Sequence, residues 1–227
     1  MFSINADIKP RIEYIGNSKI PIVIIDDYVA DIEVVCDQII TACQFIQDKH
    51  TQYPGIRSAM SKADVVAYLK PLMQALYSIF NLPKHLTPSP CDNYYSLLTT
   101  AEADLSLIQT IPHFDTYHPN LIACIHYLSC HQHGGTAFFR HRRSGYEFIN
   151  EARLAEYQTT LNTLQHSGYC TEDHPDFECY KVIPYQQNRL IIFPGQLLHS
   201  SLVKPVFDIN DNPITGRLTA NLFVKFK

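Results

Sequence analysis

The hydrophobic rhythm of the chain changes near residue 90. Before that point apolar residues recur mainly at helical spacing. After it they come in short runs broken by turns. One run departs from the first pattern: Ile20 to Ile25 is compact and largely β-branched, ends in Asp26-Asp27, and reads as a buried strand. Asp31 then stands where a helix N-cap belongs. Ile32, Val35, Cys36, Ile39, Ile40, Cys43 and Ile46 follow on one face of a 3.6-residue repeat. Ser61 with Asp64 has the form of a capping box, and Val65, Val66, Leu69, Leu72, Met73, Leu76 and Phe80 carry a helical face on to about Asn81. Pro71 must kink that element or begin a second helix. Leu82 to Pro90 reads as a proline-rich connector.

From about residue 91, eight β-like runs alternate with turns: Tyr94–Thr99, Leu107–Pro112, Leu121–Leu128, Thr136–Phe139, Tyr180–Pro184, Arg189–Phe193, Leu197–Val203 and Arg217–Phe226. Many short strands at this spacing predict a two-sheet jelly roll. A helix from roughly Phe148 to Leu164 interrupts them, inside an insertion over about 140–180. The expected fold is mainly β (α+β): a double-stranded β-helix of the jelly-roll, cupin-like kind, with an N-terminal helical layer on one sheet. The chain is read as one domain over 1–227, with a supporting strand and helices over 1–90 and the β core over 91–227.

Composition narrows the classes. Hydrophobic residues make up 46% and charged residues 18%, which suits a packed core rather than a disordered chain. The net charge of −4 and scattered Lys and Arg imply no basic field, so nucleic acid is not an expected partner. The opening residues, MFSINADIKPRIEYIG, lack a basic segment followed by a long apolar one, so no secretory signal is expected. The run Ile20 to Ile25 is far short of the ~20 residues of a membrane helix, so no membrane partner is expected. Seven cysteines without paired spacing read as free thiols of a reducing cytoplasm.

The chemistry centres on Ile111-Pro112-His113-Phe114-Asp115. On an extended segment, residues two apart point to the same side. His113 and Asp115 can therefore converge on one metal ion. The best third ligand is His199, at the end of the run Phe193-Pro194-Gly195-Gln196-Leu197-Leu198-His199. Two histidines and one carboxylate on one face leave coordination positions open, which is the non-haem iron(II) arrangement. The bland alternative is a strand-end histidine hydrogen-bonded to a neighbouring aspartate. Further on, Arg217 opens the apolar run Gly216-Arg217-Leu218-Thr219-Ala220-Asn221-Leu222-Phe223-Val224. A buried guanidinium needs an anion, and its planar fork suits a carboxylate. Thr219 faces the same way and adds a hydroxyl. The distal carboxylate of 2-oxoglutarate would satisfy both. The alternative is a protein carboxylate paired with Arg217.

His113-x-Asp115, then His199, then Arg217-x-Thr219 resemble, in order and spacing, the motifs of the iron(II)/2-oxoglutarate-dependent oxygenases. Ile125-His126-Tyr127-Leu128-Ser129 and Gly134-Gly135-Thr136-Ala137-Phe138 resemble the "YLN" strand and "GGxxxF" turn of the prolyl-hydroxylase-like branch. More narrowly, Tyr53-Pro54-Gly55-Ile56-Arg57, Pro112 to Asp115, Gly134 to Arg140 and Gly216 to Asn221 are similar to an uncharacterised bacterial family of that superfamily. The resemblance implies iron(II) held by His113, Asp115 and His199, and 2-oxoglutarate held by Arg217 with Tyr127 and Thr219. Dioxygen would be the oxidant and a C–H bond of a small molecule or protein side chain the target. Tyr127 is otherwise a packed core tyrosine, and Tyr95 is a further candidate for reaching the cosubstrate. Halogenases of the superfamily lack the carboxylate ligand, so Asp115 implies hydroxylation. A catalytically inactive or cupin-like metal-binding module is the competing class. His131-Gln132-His133 beside Cys130 reads as a polar turn rather than a second metal site. Tyr146-Glu147-Phe148 reads as the start of the inserted helix, with lining of the site entrance as the alternative, and a Cys170–Cys179 disulfide is not expected.

Overall fold

The computed structural model describes residues 3–47, 51–161 and 163–227. Residues 1 and 2 of the N-terminal reading, and residue 162 of the expected inserted helix, lie outside them. The first hairpin joins β1 (Arg11–Ile15) to β2 (Ile20–Ile25), and α1 (Ile32–Ala42) follows. The Asp31 side chain caps α1 by accepting from the Val34 amide at 3.1 Å. A short β3 (Ile46–Gln47) and β4 (Gly55–Ala59) precede α2 (Lys62–Leu69) and α3 (Met73–Ile79). Ser61 Oγ accepts from the Asp64 amide at 3.1 Å and so starts α2. Pro71 falls between α2 and α3, so it separates two helices rather than kinking one.

The remaining strands are β5 (Pro88–Leu98), β6 (Leu121–Tyr127), β7 (Thr136–His141), β8 (Phe177–Ile183), β9 (Leu190–Pro194), β10 (His199–Ser201) and β11 (Thr219–Phe226). The helix α4 (Glu151–Leu161) lies between β7 and β8, and the single turn α5 (Pro205–Asp208) between β10 and β11. Eight strands form one antiparallel sheet in the order β1-β2-β9-β6-β11-β5-β4-β3. A smaller sheet has the order β10-β7-β8 and gains a bridge from His113 to His199 on the β10 edge.

Side-chain alternation sorts the layers. Val23, Ile25, Ile122, Cys124, Leu190 and Ile192 point from the large sheet into a core shared with Val35, Ile39, Tyr68 and Leu76 of the helices. Their neighbours Ile22, Ile24, Ala123, Ile191 and Phe193 point the other way, against Phe138 and Leu197 of the small-sheet side. The outer face of the small sheet, with Ala137, Phe139 and Phe177, is covered by Tyr157 of α4. Helices, large sheet, small sheet and insertion thus stack in layers, with the N-terminal helices on one sheet as expected.

Several boundaries differ from the sequence reading. Leu107–Pro112 is not a strand. The Gln109 side chain reaches back to the Ser106 amide at 2.8 Å and closes a 3-10 turn, which leaves Leu107 and Ile108 exposed. The connector before Pro90 already belongs to β5 from Pro88, so the expected boundary near residue 90 falls within a strand. Proline is tolerated there because β4 pairs only with Tyr94 to Leu98, leaving that side of the strand without a ladder among the described residues. α1 stops at Ala42, and Ile46 lies in β3 instead of extending the helix. α4 begins at Glu151 because Asn150 Oδ1 accepts from the Arg153 amide; Phe148 bridges Leu197 instead. β1, β3 and β4 went unread. Gly55 shows why β4 opens on glycine, since a Cβ there would lie 1.9 Å from the Leu97 carbonyl oxygen.

Candidate metal centre

The chain brings His113, Asp115 and His199 together by backbone pairing. The amides of His113 and His199 donate to each other's carbonyls at 2.9 and 2.8 Å. The Asp115 amide donates to the Gly195 carbonyl at 2.8 Å. Gly195 permits this approach, because a Cβ there would lie 3.3 Å from the Asp115 Cβ and 2.6 Å from Leu121 Cδ2. One ligand atom from each of the three side chains lies within 4.8 Å of the others, the one such cluster among the described residues. His113 Nε2 stands 4.0 Å from Asp115 Oδ1, and His199 Nε2 stands 3.9 Å from Asp115 Oδ2. These separations are too long for hydrogen bonds. They suit donors that each sit ~2 Å from a shared ion.

Three further observations fit a divalent cation. His199 Nδ1–H donates to the Leu197 carbonyl at 2.8 Å, so the lone pair rests on Nε2. Asp115 Oδ2 is buried without a hydrogen-bond partner. Burial pushes the Asp115 carboxyl up to about 6 and the His199 imidazole down to about 4; partial desolvation, with His199 beside it, lowers His113 as well, although its side chain is half exposed. The imidazoles are therefore neutral at pH 7 and free to donate, and the carboxylate lacks a compensating charge. His113 and Asp115 thus do not form the simple hydrogen-bonded pair of the bland reading.

A second cluster lies between the sheets. Arg217 lies two residues before the start of β11 and is 2% exposed. Its Nε donates to the Gly134 carbonyl at 2.9 Å, while Nη2 is buried with no partner. Among the described residues no carboxylate lies within ion-pairing distance of it, so the alternative of a paired protein acid does not hold. Its guanidinium carbon lies 5.7 Å from the Tyr127 ring and 5.8 Å from that of Tyr185, and those two rings stack at 4.5 Å. Tyr127 Oη donates to Thr136 Oγ1 at 2.7 Å. Thr219 pairs directly with Tyr127 across β11 and β6, and its hydroxyl accepts from Asn221 Nδ2 at 3.0 Å. In the small sheet Thr136 faces Ser201, and Phe138 faces His199. The hydroxyl pair Tyr127–Thr136 therefore sits about 7 Å along the strand from the His199 row.

Other candidates fall elsewhere. Tyr95 packs into the core shared with the helices and lines a groove with Val34, Thr41 and Asp64. It occupies the opposite face of the large sheet from Tyr127 and cannot reach a ligand held there. Glu147 is not a helix start: it accepts from the Asn17 and Ser18 amides at 2.7 and 2.9 Å and from Arg140. His131 and Gln132 are exposed, but His133 is fully buried against Asp208, so the expected polar turn faces solvent only through its first two residues. All seven cysteines are free, including Cys170 and Cys179. Tyr185 and the His133–Asp208 pair were missed. Only the doublet Gly134-Gly135 hinted that the backbone turns tightly there.

Fold and site together define a mainly β protein with an internal cluster of two histidines and one carboxylate. The chain belongs to a family of unknown function (DUF6445), whose model matches residues 6–224. No curated protein matches the sequence. Among solved structures it is similar to HygX from Streptomyces hygroscopicus with nickel and 2-oxoglutarate bound, at 12% identity and a TM-score of 0.49, covering 90% of this chain and 82% of that one. It is also similar to AviO1 from Streptomyces viridochromogenes Tue57, at 12% identity and a TM-score of 0.44, covering 96% and 89%. An N-substituted L-amino acid dioxygenase from Burkholderia ambifaria AMMD matches at 9% identity and a TM-score of 0.44, covering 100% and 95%. Such likenesses are too loose to transfer a function. No described helix is long and apolar enough to cross a membrane.

Proposed function

We propose that the protein is an iron(II)- and 2-oxoglutarate-dependent dioxygenase that hydroxylates an unactivated C–H bond. The order β5-β11-β6-β9 in the large sheet, with His113-β10-β7-β8 opposite, fits the strand order of a double-stranded β-helix. This supports the jelly-roll reading. Iron(II) would be held by His113 Nε2, the Asp115 carboxylate and His199 Nε2. When bound, iron, 2-oxoglutarate and dioxygen together supply the oxidation, with succinate and carbon dioxide released.

The chain's own residues do the positioning. The Leu197 carbonyl holds the His199 ring by its Nδ1–H. Arg217 takes the distal carboxylate of 2-oxoglutarate on Nη2, while Gly134 fixes its Nε end. Tyr127 and Thr219 supply hydroxyls beside it, and the Tyr127 and Tyr185 rings exclude water from the guanidinium. The observation that carries this reading is the buried Nη2 of Arg217, a donor with no hydrogen-bond partner, because a metal module of the cupin kind has no use for such an internal donor.

The test is aerobic incubation with iron(II) and 2-oxoglutarate, with succinate read by mass spectrometry. Slow succinate release without added substrate is expected, and His199→Ala should abolish it. No succinate from the native chain under any substrate supplied would favour the metal-binding module. Substrates would be small molecules or protein side chains, and the insertion between β7 and β8 is the segment best placed to select among them.

A further inference from the structure

A cavity of about 460 Å³ lies beside the start of β2, the end of β9 and the first turn of α4, and none of the proposed metal ligands lines it. Its wall is mostly apolar. Phe80 just after α3, Ile122 of β6 and Leu197 before β10 form much of it. Arg153 of α4 and Gln196 add two long polar side chains. Ser18 is the third polar residue, and it is turned to Glu147 through both its amide and its hydroxyl. Apolar walls with a few placed polar groups, in a volume of ~300–1,000 Å³, are what small-molecule sites are made of.

The guanidinium of Arg153 is held in place without an anion. Its carbon lies 4.1 Å from the centre of the Phe148 ring and 4.7 Å from that of Tyr146. A guanidinium resting on aromatic rings keeps its edge for hydrogen bonds. Nη1 donates to the Phe148 carbonyl at 3.2 Å, and among the described residues the rest of the fork meets no acceptor. The acids close to it in the chain are committed elsewhere. Glu156 accepts from the Tyr146 hydroxyl at 2.5 Å, and Glu147 accepts from Arg140 at 2.6 Å. Gln196 is also fixed: its Nε2 donates to the Tyr117 carbonyl at 2.7 Å, which leaves Oε1 as an acceptor.

We propose that this cavity binds a small carboxylic acid with an apolar body, with Arg153 as the anchor of the carboxylate. The edge of the guanidinium offers parallel donors, which suits a planar carboxylate. Arg153 is the one Lys or Arg lining the cavity, so its charge matches a single negative charge. A phosphate group, at about −1.5 to −2, would call for a second cation. Phe80, Ile122 and Leu197 cover the apolar body, and Gln196 Oε1 accepts from a hydroxyl or N–H on it. The cavity shares a wall with the candidate metal centre. Gln196 and Leu197 follow Gly195, whose carbonyl accepts from the Asp115 amide, and the Leu197 carbonyl accepts from His199 Nδ1. A ligand there touches the turn that carries Asp115 and His199. The site stands apart from the oxygenase reading, because none of its side chains is a proposed ligand of the metal or of 2-oxoglutarate.

The test titrates the full chain, without metal and isotope-labelled at nitrogen, with phenylacetate, hexanoate and acetate, and with the neutral carboxamides phenylacetamide and hexanamide. Shifts of the backbone N–H resonances give dissociation constants and report where each probe binds. Phenylacetate and hexanoate should saturate at ~0.1–10 mM and move the resonances of Phe148, Gln196 and Leu197. The two carboxamides should bind at least ~10-fold more weakly, the scale of one charged hydrogen bond. Acetate, which has no apolar body, should not saturate in the same range. Arg153→Met should remove the preference for acid over carboxamide, and Arg153→Lys should keep part of it. Failure of both larger acids to bind, shifts confined to other surfaces, or a preference that survives Arg153→Met would overturn the site. If Arg153→Met does not fold, the native chain decides, since equal affinity for acid and carboxamide would overturn it as well. No iron enters this titration, so a negative result leaves the oxygenase reading standing, and a failure of succinate release leaves this site standing.

Discussion

The two ends of the space between the sheets are built in opposite ways. At one end, His113, Asp115 and His199 come from two short segments locked by reciprocal backbone hydrogen bonds, and the His113 side chain is about half exposed. At the other, Arg217, Tyr127, Tyr185 and His133 come from four separate stretches and are buried in aromatic packing. The open end suits a metal that must exchange ligands and admit a substrate. The closed end suits a charge that must be held in one place without water, where each hydrogen bond is worth more. Rigid backbone aims the proposed ligands at one end, and side-chain packing aims the donors at the other.

This comparison predicts an ordered set of losses. The largest should come at the metal end. His199→Ala should abolish stoichiometric binding of iron(II), or of nickel as a redox-silent substitute, measured by calorimetry. The fold should survive, because the bridge to His113 is made by backbone atoms. Retained full affinity would mean that His199 is not a ligand. At the closed end, Arg217→Met should leave metal binding intact and weaken 2-oxoglutarate by about 100-fold, within the range for removing a charged partner. Loss of both together would erase the division between the ends.

A third change tests whether the scaffold, rather than the ligands, sets the open end. Glu147 is buried and accepts from two amides of the β1–β2 turn and from Arg140, while its carbonyl accepts from the Leu198 amide beside His199. Burial opposes its ionisation, but those amides and Arg140 hold its carboxyl below the usual range. A depressed carboxyl contributes stability at pH values above its unfolded value of ~4.3. That contribution is lost as the pH falls through the lower folded value. Glu147→Gln should therefore cost about 3 kcal/mol near neutrality, with the difference from the native chain shrinking in acid. Thermal unfolding across pH 3 to 7, on the order of one scan per unit, measures it. A pH-independent difference would mean that the carboxylate charge plays no part. The smallest effect should follow Tyr127→Phe, which removes one hydroxyl and keeps the ring stack. About a fivefold weakening of 2-oxoglutarate is expected, readable by anaerobic titration.

The convergence of His113, Asp115 and His199 was legible because its logic is local. A two-residue spacing puts His113 and Asp115 on one side, and His199 ends an apolar run and opens β10. Arg217 and Thr219 were legible for the same reason, as residues two apart on the segment that leads into β11. The layering was legible too: β2, β6 and β9 read from their runs, and the N-terminal helices from their period. What escaped depends on tertiary meeting. His133 and Asp208 pair across the loops flanking β7 and β11, and nothing in His131-Gln132-His133 distinguishes the exposed first histidine from the buried second. Tyr95 misled because its strand was right and its face was not. The alternation in β5 places Ser96 opposite Thr219 on the inner side, and Tyr95 beside the helices.

The central claim is that one chain holds a metal and a 2-oxo acid in a single site. Its most direct test is the visible absorption of the anaerobic protein titrated with iron(II) and 2-oxoglutarate. A charge-transfer band is predicted only when both are present, saturating at one equivalent of each and absent in His199→Ala. A protein that binds iron(II) without developing the band, or that develops it equally in His199→Ala, would contradict the account.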